Sequence, residues 1–153
     1  MWATITPSYI CLKLGVSMNE QCYYRVSVKG IVFDEDGRVL LSRESNGKWE
    51  LLGGGLDHGE DPIEGLRREV AEETGLKITK VSASPRYFLT CKRLGKDSYV
   101  ANVVYEIALD NLDFTPSDEC QELRFFYADE MDELELFPNV EVLRDILKKE
   151  QGL

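Results

Sequence analysis

Residues Gly54 to Leu76 read GGLDHGEDPIEGLRREVAEETGL, a glycine-rich turn followed by a segment with the punctuation of a helix. Asp61 stands at an N-cap position with Pro62 at the first helical site. Glu64 follows three residues after the cap, as in a capping box, and Gly75 falls just past the end. These marks predict a helix over about Pro62 to Thr74. Ile63, Leu66, Val70 and Thr74 recur at spacings of three and four, so they share a face that should pack on a sheet. Glu69 and Glu73 lie one turn apart on another face, with Glu72 on the adjacent flank. Like charges so placed destabilise an isolated helix by roughly 0.2–0.5 kcal/mol per pair, and Glu72 and Glu73 also meet the partially negative helix end. A solvated acidic face is one explanation. A hard divalent cation that prefers oxygen ligands, such as Mg²⁺, is the other, because it converts that repulsion into binding.

Upstream, Tyr23 to Phe33 alternates, with Val26, Val28 and Val32 on one parity and Arg25, Ser27 and Lys29 on the other, and it ends in the turn Asp34-Glu35-Asp36-Gly37. Arg38 to Arg43 and Trp49 to Leu52 read as further strands separated by Asn46-Gly47. Downstream, strands are expected at Ile78 to Val81, Tyr87 to Cys91, Tyr99 to Leu109 and Leu123 to Tyr127, with a hairpin turn at Leu94 to Asp97. Ala128 to Leu134 reads as a short acidic helix. Pro138 to Lys149 reads as a longer one with Val142, Leu143, Ile146 and Leu147 inward. Strands interleaved with helices define an α/β class. Residues 1–20 pattern cleanly as neither state and form an N-terminal extension that either adds an edge strand or exchanges between protomers of a homodimer. Residues 21–153 form one domain.

A chain of 153 residues with 43% hydrophobic content carries enough apolar material for a core. Its 28 acidic against 18 basic residues give a net charge of -10, which repels a phosphate backbone and argues against duplex nucleic acid as a partner. An enzyme of anionic substrates with this charge needs local cations, whether metal or placed Lys and Arg. Lys92, Arg93 and Lys96 form the one basic cluster, set either to face a leaving group or merely to decorate a hairpin tip. Cys11, Cys22, Cys91 and Cys120 include no C-x-x-C pair and His58 is the sole histidine, so no zinc set assembles and reduced thiols of a cytoplasmic protein are expected. No run approaches the ~18 apolar residues of a membrane span, and no secretory leader is read.

The segment resembles the Nudix box, G-x5-E-x7-R-E-U-x-E-E-x-G-U with U aliphatic. Every defined position is met, by Gly54, Glu60, Arg68, Glu69, Val70, Glu72, Glu73, Gly75 and Leu76. A chance match is on the order of 10⁻⁸ per starting point. The likeness extends over about Tyr23 to Lys149. It implies an α/β/α sandwich with a mixed β-sheet between helices, and hydrolysis of a nucleoside diphosphate linked to another moiety. The family often places proline where Leu52 stands, a departure that bears on the loop and leaves the metal residues intact.

The resemblance also implies roles. Glu69, Glu72, Glu73 and the Gly53 carbonyl would hold Mg²⁺, for which Mn²⁺ can substitute, and Glu60 with Arg68 would brace the loop against the helix. Arg43 and Gly54, with Gly53, would contact substrate. The proton acceptor is left open between Glu69 in the box and Glu119 or Glu122 in a later loop, with Glu72 also in the catalytic set. The rivals are a non-catalytic nucleotide sensor, which would be expected to lose metal glutamates, and an isoprenoid-diphosphate isomerase, for which Cys91 or Cys120 lacks supporting neighbours.

Overall fold

The computed structural model describes residues 22–153, so the expectations placed on residues 1–20 lie outside it. The described elements run β1 (Tyr24–Ile31), β2 (Val39–Arg43), β3 (Trp49–Glu50), α1 (Pro62–Thr74), β4 (Ile78–Val81), β5 (Tyr87–Lys92), β6 (Tyr99–Leu109), β7 (Glu122–Phe126), a 3-10 turn (Glu130–Glu133) and α2 (Pro138–Gln151). The expected short acidic helix is this single 3-10 turn, capped by Asp129 and anchored by buried Met131. β1 pairs with β6 in parallel, and β4 and β5 pair with β6 antiparallel, giving a mixed four-stranded sheet. β3, β2 and β7 form a second, antiparallel sheet of three strands.

Helices cover both faces of these sheets, which explains why neighbouring side chains are sent to different cores. Leu40 and Leu52 join Val28, Leu66, Val70 and Ile107 beneath α1. Leu41 and Leu51, each one residue away, join Ile31, Trp49, Phe126, Leu143 and Leu147 beneath α2. A period of two in the strands thus feeds two hydrophobic layers, the α/β/α arrangement. The same geometry buries both parities of β1: Ser27 and Lys29, on the polar parity, are buried as Val28 is on the apolar one, because the second helix and its neighbours cover that face as well.

The cap of α1 is built as read on one side only. Asp61 accepts from the N–H groups of Ile63 (2.9 Å) and Glu64 (3.2 Å). Glu64, expected to complete the box, turns to Arg67 instead (3.9 Å). Gly75 adopts φ +74° and closes the helix by donating to Ala71 O, a left-handed conformation that costs glycine little.

The segment after β3 lies along the outer edge of β1. Gly30 N donates to Leu52 O (2.8 Å), Val28 N to Gly54 O (2.9 Å) and Leu56 N to Val26 O (3.2 Å). The glycine loop therefore satisfies the strand edge and is held in front of α1.

Candidate active site

With Leu52 and Gly54 directed at β1, the polar groups of Gly53 turn away from it. Gly53 N donates to Glu73 Oε2 at 3.0 Å, and Gly53 O accepts from Lys29 Nζ. Gly53 has φ +102°, a conformation that disfavours any side chain. The Glu69 carboxylate lies so close to Gly54 that a Cβ there would collide with it. Two of the three candidate metal-holding carboxylates thus close on two adjacent glycines. Glu72, on the adjacent flank, is more exposed.

Arg68 links these acids to the loop. Its Nε and Nη2 reach Glu60 Oε1 (2.8 Å) and Oε2 (3.0 Å), a bidentate pair, while Nη1 donates to Glu69 Oε1 (2.9 Å) and Glu72 Oε2 (3.1 Å). The Arg68 hydrogen bonds and the Asp57 N–H hold the Glu60 carboxyl down at about 2. Glu73 behaves oppositely. Burial pushes its carboxyl up to about 7, although Lys29 and the Gly53 N–H favour its charge.

Sequence reasoning missed the residues behind this loop. Lys29 is 7% exposed, and its ammonium donates to Leu51 O (3.3 Å) and Gly53 O and pairs with Glu50 Oε2 (3.3 Å). Burial opposes that charge, but Glu50 and Glu73 outweigh it and raise the Lys29 pKa. Glu50 Oε1 also accepts from Asn139 Nδ2 (2.7 Å) and Leu51 N (2.8 Å). A lysine on the polar parity of a strand gives no local sign of burial, and Asn139 is 89 residues from Glu50.

The structure pairs two residues that the sequence had assigned separately. Arg43 Nη2 lies 3.0 Å from Glu122 Oε2, and the two are register partners of β2 and β7. Arg43 Nε is buried without a partner, and its guanidinium carbon is 5.9 Å from the Trp49 ring centre. The loop holding Glu119 docks on the end of α1, where Ser117 Oγ donates to Glu73 O (3.2 Å) and Thr115 N to Thr74 O (3.1 Å). Glu119 itself is exposed. Its charge reaches Glu44, whose pKa is raised first by burial and then by Glu50.

The donor set suits a hard cation in its chemistry: carboxylates of Glu69 and Glu73 drawn against the glycine loop, Glu72 beside them, and a carbonyl on Gly53 with a second lone pair beyond the one Lys29 uses. Among the described residues no three acidic, cysteine or histidine side chains form a ready-made metal cage.

A family model for the NUDIX domain matches residues 23–149, and the chain belongs to that family. A MutT-like protein of Streptomyces ambofaciens is 52% identical over 56 residues, 36% of each chain. An RNA pyrophosphohydrolase of Bartonella quintana is 34% identical over 73 residues, 41% of this chain and 42% of that one. The chain thus spans well under half the length of these curated relatives. A nucleoside triphosphatase NudI of an Enterobacter species is 28% identical over 69% of this chain and 84% of its own. Among solved structures, a MutT protein from Methanosarcina mazei Go1 superposes with a TM-score of 0.69 at 24% identity, covering 87% of this chain and 99% of that one, which shows the fold.

Proposed function

We propose that this chain hydrolyses a diphosphate linkage in a small nucleotide derivative by attack of water on phosphorus. The observation that carries the proposal is the closure of the Glu69 and Glu73 carboxylates on the Gly53-Gly54 loop. Glu69, Glu72 and Glu73, with the Gly53 carbonyl, would hold Mg²⁺ or Mn²⁺. Such an ion, when bound, supplies charge neutralisation at phosphoryl oxygens and a more acidic water. Glu60 and Arg68 keep the loop and helix in register, so they position the carboxylates without touching the reacting atoms. Gly54 lets the backbone approach the phosphates closely.

The attacking water needs a proton acceptor. Glu69 is already engaged by Arg68 and Glu122 by Arg43, so neither carboxylate is free to receive a water's proton without giving up an ion pair. Glu119 has no ion pair among the described residues and sits in the loop anchored to the Glu73 carbonyl. We favour Glu119 for this role, with Arg43 left to bind substrate and Glu122 to orient it. A small-molecule substrate suits the net charge of -10 better than duplex nucleic acid. The free thiols of Cys22, Cys91 and Cys120 suit a cytoplasmic setting. No helix among the described residues is long and apolar enough to cross a membrane.

A panel of nucleoside triphosphates, nucleotide sugars and dinucleotides, assayed with Mg²⁺ for released phosphate or pyrophosphate, tests the proposal. Turnover of at least one compound should fall on the order of 10²-fold or more in Glu73→Gln. Undiminished hydrolysis in that variant would reject the metal site, and no turnover on any compound would reject the activity.

A further inference from the structure

The basic hairpin singled out in the sequence remains unexplained by the hydrolytic site. In the folded chain it is the far wall of a cavity of about 350 Å³ that begins at Gly55 of the glycine loop. Arg25, Lys29, Lys92, Arg93 and Lys96 all line that cavity, and Glu50 is its single acidic lining residue. Glu50 is already taken by Lys29 and Asn139, and Lys92 is paired with Asp97 (3.0 Å). Among the described residues, Arg25, Arg93 and Lys96 have no carboxylate within ion-pair distance. Most of the other cations among the described residues do form ion pairs, so three unpaired ones around one cavity stand out in a chain with 28 acids and 18 bases. Gathering unpaired like charges around one concavity costs free energy in the empty protein, and an anion entering it repays that cost.

The position of Arg25 joins this cavity to the reaction. Its guanidinium lies directly over Gly55, in space that the absence of a side chain there leaves open. A diphosphate bound at the glycine loop would therefore direct one of its two substituents past Arg25 toward Arg93 and Lys96. An uncharged sugar or base needs no such cations at the far rim. Resting on the hydrolase reading for the placement of the diphosphate, we infer that the substrate carries a further phosphate group, away from the bond that is cut, and that Arg93 and Lys96 with Arg25 select for it. A phosphomonoester on a nucleotide and an internucleotide phosphodiester share this chemistry.

The test is a titration of the full chain, followed by amide chemical shifts so that dissociation constants into the millimolar range are readable. The probes are AMP, adenosine 3′,5′-bisphosphate and the 5′-phosphorylated dinucleotide pApA. One or both of the second pair should bind about tenfold or more tighter than AMP, shift the Arg93 and Lys96 amides, and lose that advantage as salt is raised. The monoester or diester that gives the gap identifies the source of the phosphate. Arg93→Gln/Lys96→Gln should collapse the ratio toward one, while Lys80→Gln, which removes an exposed cation from β4, should preserve it. Equal affinities, a gap that survives in the double variant, or failure of all three probes to bind would overturn the inference. Because the titration requires no turnover, these outcomes stand apart from failure of the hydrolase reading, which the Glu73→Gln assay decides.

Discussion

Glu60 and Glu73 show how one residue type acquires opposite properties within one motif. Glu60 meets the fork of Arg68 with both oxygens and keeps its charge to about 2. Its folded pKa lies below the ordinary value of 4.5, so it contributes stability that is fully present above about 4.5 and is lost as pH falls toward 2. The melting temperature of wild type should therefore exceed that of Glu60→Gln at pH 6, and the gap should close progressively between pH 4.5 and 2. A gap independent of pH would mean that the carboxylate's charge is immaterial. The proton acceptor is a prediction at the same scale. Glu119→Gln should lower kcat on the order of 10²–10⁴-fold, and Glu122→Gln should act chiefly on KM through the freed Arg43. The reverse pattern in steady-state kinetics would assign the base to Glu122.

At the level of elements, α1 presents its apolar stripe, Leu66 and Val70, to the core beneath it while holding Glu69, Glu73 and Arg68 against the glycine loop, with Glu72 tied to Arg68 beside them. Its start depends on a single side chain, since Asp61 alone accepts the Ile63 and Glu64 N–H groups and Glu64 does not reciprocate. Asp61→Ala should cost about 1 kcal/mol in urea unfolding, and with the first turn frayed the Glu60–Arg68 brace should loosen as well. A loss below about 0.3 kcal/mol would show that Pro62 and packing suffice to start the helix. This element was legible in the sequence because a cap, a helical period and a terminal glycine are local signals. The 3-10 turn was not, because Asp129 to Glu133 carries helical residues but only Met131 to bury, too little to extend one turn into a helix.

Across the whole molecule, the buried Lys29–Glu50 pair connects β1, the segment leading to the glycine loop, and α2 through Asn139. Breaking such a pair leaves an uncompensated buried charge, typically about 3–5 kcal/mol. Lys29→Met should destabilise the fold by an amount in that range, and Lys29→Met/Glu50→Gln should recover part of it, measurable as a coupling in a double-mutant cycle of denaturant midpoints. Additive losses would show that the two charges do not depend on one another.

The amino-acid sequence on its own determined the helix of the box with its ends, most of the strands, the family and the acids Glu69, Glu72 and Glu73, because each follows from spacing within a few turns of chain. Only the tertiary structure decided that Lys29 is buried, that Arg43 and Glu122 neutralise each other, and that the basic hairpin faces a cavity opening from Gly55. Those facts depend on a second helix covering the far face of the sheets and on partners tens of residues apart, and no local period or motif encodes which distant side chain will arrive.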